Sequence, residues 1–231
     1  MTKFGLKRIP APKSWDIKKK IIRFTIRPFP GGPNYQEGLA LGTIMRDYLK
    51  LVNTMREAKH AVNHQDVLIN NHKKEDIHHI VGLMDVLSFP SLNKHFRLLI
   101  NKKGKLQLKE LSKEEIDICP LKIKKITYLK KGIEQINLAN GRNILTKNKK
   151  FKPGDTLVLF NKDNKVKDHF KLEKGNFVFL ISGKHVGERG TIEHIQGNTI
   201  AIKTKEKIIL ETKKKYAYVL GTTKSIIQLI E

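Results

Sequence analysis

Residues 54–74 read TMREAKHAVNHQDVLINNHKK, and this stretch decides how the first half of the chain folds. Thr54 stands three residues before Glu57, the spacing of a capping box, in which each side chain accepts an orphan backbone N–H at a helix start. Met55, Ala58, Ala61 and Val62 follow at helical spacing, so a short helix is expected, with Arg56, Lys59 and His60 away from its apolar stripe. After His64 the run VLIN has β character. Asn70-Asn71 then supplies two residues tolerant of positive φ where the chain should reverse.

Upstream, Leu41, Met45, Tyr48 and Val52 recur at steps of four, three and four, which places them on one face of a first helix. The two helices are expected to pack around the Val52–Thr54 corner, leaving Arg46 and Lys50 outside, with Lys73 and Lys74 just past the turn. Such a surface can grip a phosphate backbone. Residues 1–33 hold five of the eight prolines, three glycines and nine Lys or Arg against one acid, Asp16. They are read as an extended basic arm with little helix or sheet, able to order on a partner while the remainder folds without it. Within it Trp15, Phe24 and Phe29 are interleaved with Lys7, Arg8, Lys13, Lys18, Lys19, Lys20, Arg23 and Arg27, a mixture that stacks on bases and neutralises phosphates together.

Downstream the pattern turns to β. MDVLSF (84–89), FRLLIN (96–101) and KLQLKEL (105–111) are expected strands, the last two joined by Lys102-Lys103-Gly104. Ser112 and Glu115 can cap a brief helix. LKIKKITYL (121–129), IEQINLA (133–139) and NILT (143–146) follow, with Asn140-Gly141 predicting a type I′ hairpin and Pro153-Gly154-Asp155 a corner before TLVLF. From Gly175 onward FVFLIS, GTIEHI, TIAIKT, KIILE, YAYVL and SIIQLI recur at the spacing of a small barrel. The expected class is α+β, mostly β. Its parts are a basic arm (1–33), a helix-helix-strand module (34–94), a central β domain (95–172) and a C-terminal barrel (173–231).

Charge restricts the partner. Against 46 Lys and Arg stand 22 Asp and Glu, a formal net charge of +24 in 231 residues. That excess is most natural beside a polyanion held for long periods, nucleic acid ahead of an acidic membrane surface. No apolar run approaches the roughly 20 residues that span a bilayer, and the first residues lack a signal-peptide core, so a cytosolic protein is expected. Cys119 is the single cysteine, which excludes an intramolecular disulfide and a cysteine-cluster zinc site and reads as a small buried apolar residue.

No catalytic constellation is found. Asp66, Asp76 and Asp85 have neither a nucleophile nor a second carboxylate at useful spacing and read as caps and turns. His78 and His79 would point to opposite faces of a strand and so would not share a metal ion. Phosphate-binding loops of the G-x-x-x-x-G-K-[ST] and G-x-G-x-x-G kinds are missing. Neither a cofactor nor a small-molecule substrate is expected.

The quoted stretch resembles the small RNA-binding fold shared by a bacterial small-subunit ribosomal protein, pseudouridine synthases and tyrosyl-tRNA synthetases, with asparagine at 71 where that fold usually carries glycine. A second stretch, KGNFVFLISGKHVGERGTIEHI (174–195), resembles the KOW motif of SH3-like barrels, which places Lys184, His185 and Arg189 where its loop would meet RNA. The order of parts resembles one family throughout: LKRIPAPKSW near the start, the RNA-binding fold, VGLMDVLSF with HFRLLINKKGKLQL, then the KOW segment. That family is the archaeal and eukaryotic small-subunit ribosomal protein often called S-four-e. The resemblance implies a non-catalytic component of the small subunit, bound to its ribosomal RNA beside neighbouring ribosomal proteins. The end at SIIQLIE, without a basic tail, looks like the archaeal form. Two rival readings are weighed: a KOW-type transcription elongation protein, which would need a preceding NusG-type domain, and a pseudouridine synthase, for whose catalytic domain too little chain remains.

Overall fold

The capping box forms as the spacing requires. Thr54 Oγ1 accepts the Glu57 N–H at 3.2 Å, and Glu57 Oε2 accepts the N–H of Asn53 at 2.8 Å and of Thr54 at 3.4 Å. The computed structural model describes residues 5–112, 115–147, 150–161 and 165–229. They fall into two compact units, the first running to residue 99 with 105–116 added, the second comprising 100–104 and everything from 117 onward.

In the first unit β1 (Gly5–Lys7) pairs antiparallel with β2 (Phe24–Ile26). β3 (Gly38–Ala40) leads into α1 (Leu41–Thr43), which continues as a π-helical stretch over Ile44–Tyr48, the Leu49 N–H closing on the Ile44 carbonyl. Leu41 and Met45 of the expected stripe are buried together with Ile44, whereas Val52 lies beyond the helix end, where Lys50 turns the chain at φ 54°. α2 (Met55–His64) buries Ala58 and Val62.

β4 (Leu68–Ile69) and β5 (His72–Lys73) are joined by Asn70 at φ 50° and Asn71 at φ 62°, the two positive values of a type I′ turn. The turn is fixed from below: the Asn70 amide donates to Asp85 Oδ1 at 2.7 Å, its carbonyl accepts the Val86 N–H at 2.9 Å, and Asp85 Oδ2 accepts the Gly82 N–H at 2.7 Å. β6 (Ile80–Gly82) pairs with β3, while β7 (Val86–Phe89), β8 (Lys94–Ile100) and β9 (Leu106–Glu110) extend a sheet of order β5-β4-β7-β8-β9. A boundary after residue 94 therefore falls at the start of a strand inside this sheet. β8 satisfies the open edge of β7, and the expected first strands of the central domain belong to the helical module.

The arm is also part of this unit: beyond β1 and β2 it carries little regular structure, as its prolines predict, but it is packed and not extended. Ala11, Trp15, Ile17 and Ile26 are buried, the Leu106 N–H donates to the Ser14 carbonyl at 2.7 Å, and Lys105 pairs with Asp16 at 3.0 Å. Its prolines limit regular structure, but its apolar residues still find a core.

In the second unit β10 (Ile118–Tyr128), β11 (Glu134–Leu138), β12 (Asn143–Thr146), β13 (Thr156–Phe160) and β14 (Val166–Phe170) form an antiparallel sheet of order β12-β11-β10-β13-β14 over a core that includes the buried Cys119. The β11–β12 connection is not type I′. Of Asn140-Gly141 only the glycine has positive φ, at 88°; the Gly141 N–H closes a turn on the Leu138 carbonyl, so the extra residue is a glycine bulge. β15 (Phe177–Leu180), β16 (Arg189–Gln196), β17 (Thr199–Thr204), β18 (Ile209–Lys213) and β19 (Ala217–Gly221) follow in the order β18-β17-β16-β15-β19 around Val178, Leu180, Ile192, Ile200, Ile202 and Val219. SIIQLI forms no strand over 225–229, although Ile227 and Leu229 are buried; its last residue, 230, lies outside the described set. So do residues 113 and 114, within the expected Ser112–Glu115 helix.

Candidate nucleic-acid interface

On α2 the apolar face is inside, and the opposite face carries exposed Arg56, Lys59 and His60. The His60 ring stacks on His64 at 4.0 Å, one turn further on. Lys50 is exposed beyond the first helix. Lys73 is exposed and pairs with Asp66 at 3.0 Å, and Lys74 is half-buried. Arg46 is engaged within the fold, where it binds Asp47 at 2.9 Å with 11% of its side chain exposed.

In the arm Lys7, Lys13, Lys18, Lys19, Lys20, Arg23 and Arg27 are exposed, and the Arg23 guanidinium lies 5.3 Å from the centre of the partly exposed Phe24 ring. Arg8 and Trp15, expected at the RNA surface, are interior. Arg8 donates to Asp47 Oδ1 at 2.6 Å and to the Lys18 carbonyl at 2.9 Å; Trp15, 1% exposed, lies against Tyr35 with ring centres 5.4 Å apart. A planar donor fork and a large indole suit a core as well as they suit RNA, and composition does not separate the two uses. The expectation also missed Ile9, Ile21 and Ile22, which are exposed among these cations.

A third basic surface lies on the second unit. Gly183 (φ 92°) and Gly187 (φ 80°) shape the loop before β16, with Lys184 exposed and His185 and Arg189 half-buried. His185 and Arg189 line a cleft of about 320 Å³ with Lys102, Lys205, Glu188 and Glu206. Gly187 is required there, since a Cβ would stand 2.5 Å from the Lys102 Cα. Lys102 read only as a hairpin turn in the sequence, and no local spacing links it to residues more than eighty positions away.

The carboxylates considered for chemistry are engaged structurally. Asp85 holds the Asn70 turn, Asp76 accepts the His78 N–H at 2.8 Å and Asp66 meets Lys73. His78 and His79 lie in a turn and not in a strand; His78 stacks on Phe29 at 4.7 Å. Burial, reinforced by the charge of Lys74, holds the His79 imidazole below its ordinary pKa. Among the described residues no three His, Cys, Asp or Glu side chains come together as metal ligands, and no helix is long and apolar enough to cross a membrane.

Comparison with known proteins places these surfaces in a family context. The profile described as Ribosomal family S4e matches residues 92–166, and that of the RS4NT (NUC023) domain matches residues 2–32. The small ribosomal subunit protein eS4 of Methanocaldococcus jannaschii is 35% identical over 97% of this chain and 96% of its own length; that of Methanosphaera stadtmanae is 37% identical over 97% and 95%. The crystal structure of the 30S ribosomal protein S4e from Thermoplasma acidophilum superposes with a TM-score of 0.72 at 28% identity, covering 83% of this chain and 99% of that one.

Proposed function

The chain belongs to the ribosomal S4e family, and we propose that it is a structural constituent of the small ribosomal subunit that binds the subunit's RNA through basic surfaces and so supports translation. The observation that carries this reading is the distribution of charge. Of a net +24, cations stand exposed on the arm, on the outer face of α2 and around the β16 loop, while the carboxylates once open to catalytic use are committed to turns and ion pairs. The residues assigned to RNA contact are the exposed Lys7, Lys13, Lys18, Lys19, Lys20, Arg23 and Arg27 of the arm, the exposed Lys50, Arg56, Lys59 and His60 of the helical module, and Lys184 with the half-buried His185 and Arg189 in and beside a loop read as KOW-like. The protein acts without catalysis in the cytoplasm, next to other small-subunit proteins. If six to ten phosphates are neutralised, affinity of the free protein falls about 10³- to 10⁵-fold between 50 and 200 mM salt.

Sedimentation of native extract through density gradients at moderate and then high salt, with the chain followed by mass spectrometry, tests the reading. Co-migration with small subunits that survives high salt is expected. A slow free fraction, or a peak with RNA polymerase, overturns it in favour of a free RNA-binding or transcription protein.

A further inference from the structure

Surface charge does not account for a groove of about 850 Å³ in the first unit, within the range of roughly 300–1,000 Å³ typical of ligand pockets and lined by Arg27, Pro28, Phe29, Pro30, Pro33 and Tyr35 among others. Its walls are held in place. The Phe29 N–H donates to the His78 carbonyl at 2.9 Å, the His78 Nδ1 lies 2.9 Å from the Arg27 carbonyl, and a Cβ on Gly82 would stand 2.5 Å from the Pro33 ring. The Tyr35 ring is backed by Trp15, with ring centres 5.4 Å apart.

We propose that this groove receives a single unpaired nucleotide of RNA, its base against the proline and aromatic rings and its phosphate on Arg27. The inference rests on the RNA-binding reading above and deepens it. A base is favoured over an apolar peptide side chain by the exposed cations along the same segment, Arg23 and Arg27, which suit an anionic backbone. Splayed bases of single strands, and not those of a duplex, can enter such a site.

The test uses the full chain with two probes, a 12-nucleotide single-stranded RNA carrying 4-thiouridine and a 12-base-pair RNA duplex. Phe29→Ala is expected to weaken single-strand binding by about five- to a hundredfold, with duplex binding unchanged. Photo-crosslinks are expected within residues 27–35. Arg27→Gln, at an exposed position, guards against misfolded variants and should lower the salt slope of single-strand binding by about one. Parent-like single-strand affinity in both variants overturns the groove but leaves the RNA-binding reading standing. So does a peptide of another ribosomal protein found crosslinked in the groove in isolated subunits. Failure of the parent chain to bind either RNA overturns both.

Discussion

Replacing Arg8 by alanine tests whether the basic arm is a structural part of the first unit. Arg8 is 2% exposed and carries three hydrogen bonds, to Asp47 Oδ1 at 2.6 Å, to the Lys18 carbonyl at 2.9 Å and to the Phe24 carbonyl at 3.4 Å. Removing one partner of a buried ion pair costs about 3–5 kcal/mol, chiefly because the remaining charge is stranded. Asp47 is 14% exposed and keeps Arg46 at 2.9 Å, so the lower end of that range, about 3 kcal/mol, is expected. The single tryptophan, Trp15, is buried in this unit and reports its unfolding without interference. With a urea slope of about 1–3 kcal/mol/M, the fluorescence midpoint should fall by about 1–3 M. Lys7→Ala, at an exposed neighbour, should stay within about 0.5 kcal/mol of the parent. A midpoint for Arg8→Ala as close to the parent as that of Lys7→Ala would refute the claim that Arg8 is a buried structural cation.

Removing residues 1–33 should abolish slow amide exchange at Leu39–Met45 while strands β15–β19 keep theirs, since the arm supplies buried Trp15, Ile17 and Ile26; retained protection at Leu39–Met45 would restore the dispensable arm. Combined Arg56→Ala, Lys59→Ala and His60→Ala changes should reduce the salt slope of RNA binding by about two to three without moving the Trp15 transition, because their side chains leave the apolar face of α2 untouched. Tyr218→Phe should cost about 1–3 kcal/mol in the second unit, where the hydroxyl donates to the Pro120 carbonyl and accepts the Lys122 N–H, both at 2.9 Å; urea unfolding followed by circular dichroism measures it. The first unit should lose stability as pH falls below about 6.5. The folded state depresses the His79 pKa, so the unfolded chain binds that proton more readily; the stability is full above the unfolded value and declines until the folded pKa is passed. A Trp15 transition whose pH dependence is the same in His79→Gln would exclude that residue as the cause.

What was legible depended on how local the signal is. The Thr54–Glu57 box, the α2 stripe and the Asn70-Asn71 reversal are decided within four residues, and each is found where its spacing puts it. Asn140-Gly141 failed because one asparagine-glycine pair serves both a two-residue I′ turn and a longer turn ending in a glycine bulge, and the flanking register, Asn137 opposite Asn143, chose the second. The π-helical turn at Ile44–Tyr48 has no spacing signature that differs from an α-helix over a single turn. The domain boundary after residue 94 was misplaced because hairpins look alike from within; only the pairing of Val86–Phe89 with Lys94–Ile100 shows to which sheet the later strands belong.

The arm was misread for a related reason, and it bears on how so basic a chain folds. Counting cations treats every arginine and lysine as surface, yet among the described residues Arg8, Arg97 and Lys122 are interior, and each is answered locally: Arg8 by Asp47, Arg97 by Glu115, whose carbonyl accepts at 2.9 Å, and Lys122 by the carbonyls of Lys215 and Ala217. The cations in the cores are thus compensated before any partner binds. What remains unbalanced is outside, on the arm, α2 and the β16 loop, where self-repulsion is screened by salt and removed by phosphates. Ionic strength should therefore act in opposite directions on the two properties of the free protein, raising the stability of the fold as it lowers the affinity for RNA. A stability that falls with added salt would mean that the buried pairs, and not the exposed excess, dominate the electrostatics of folding.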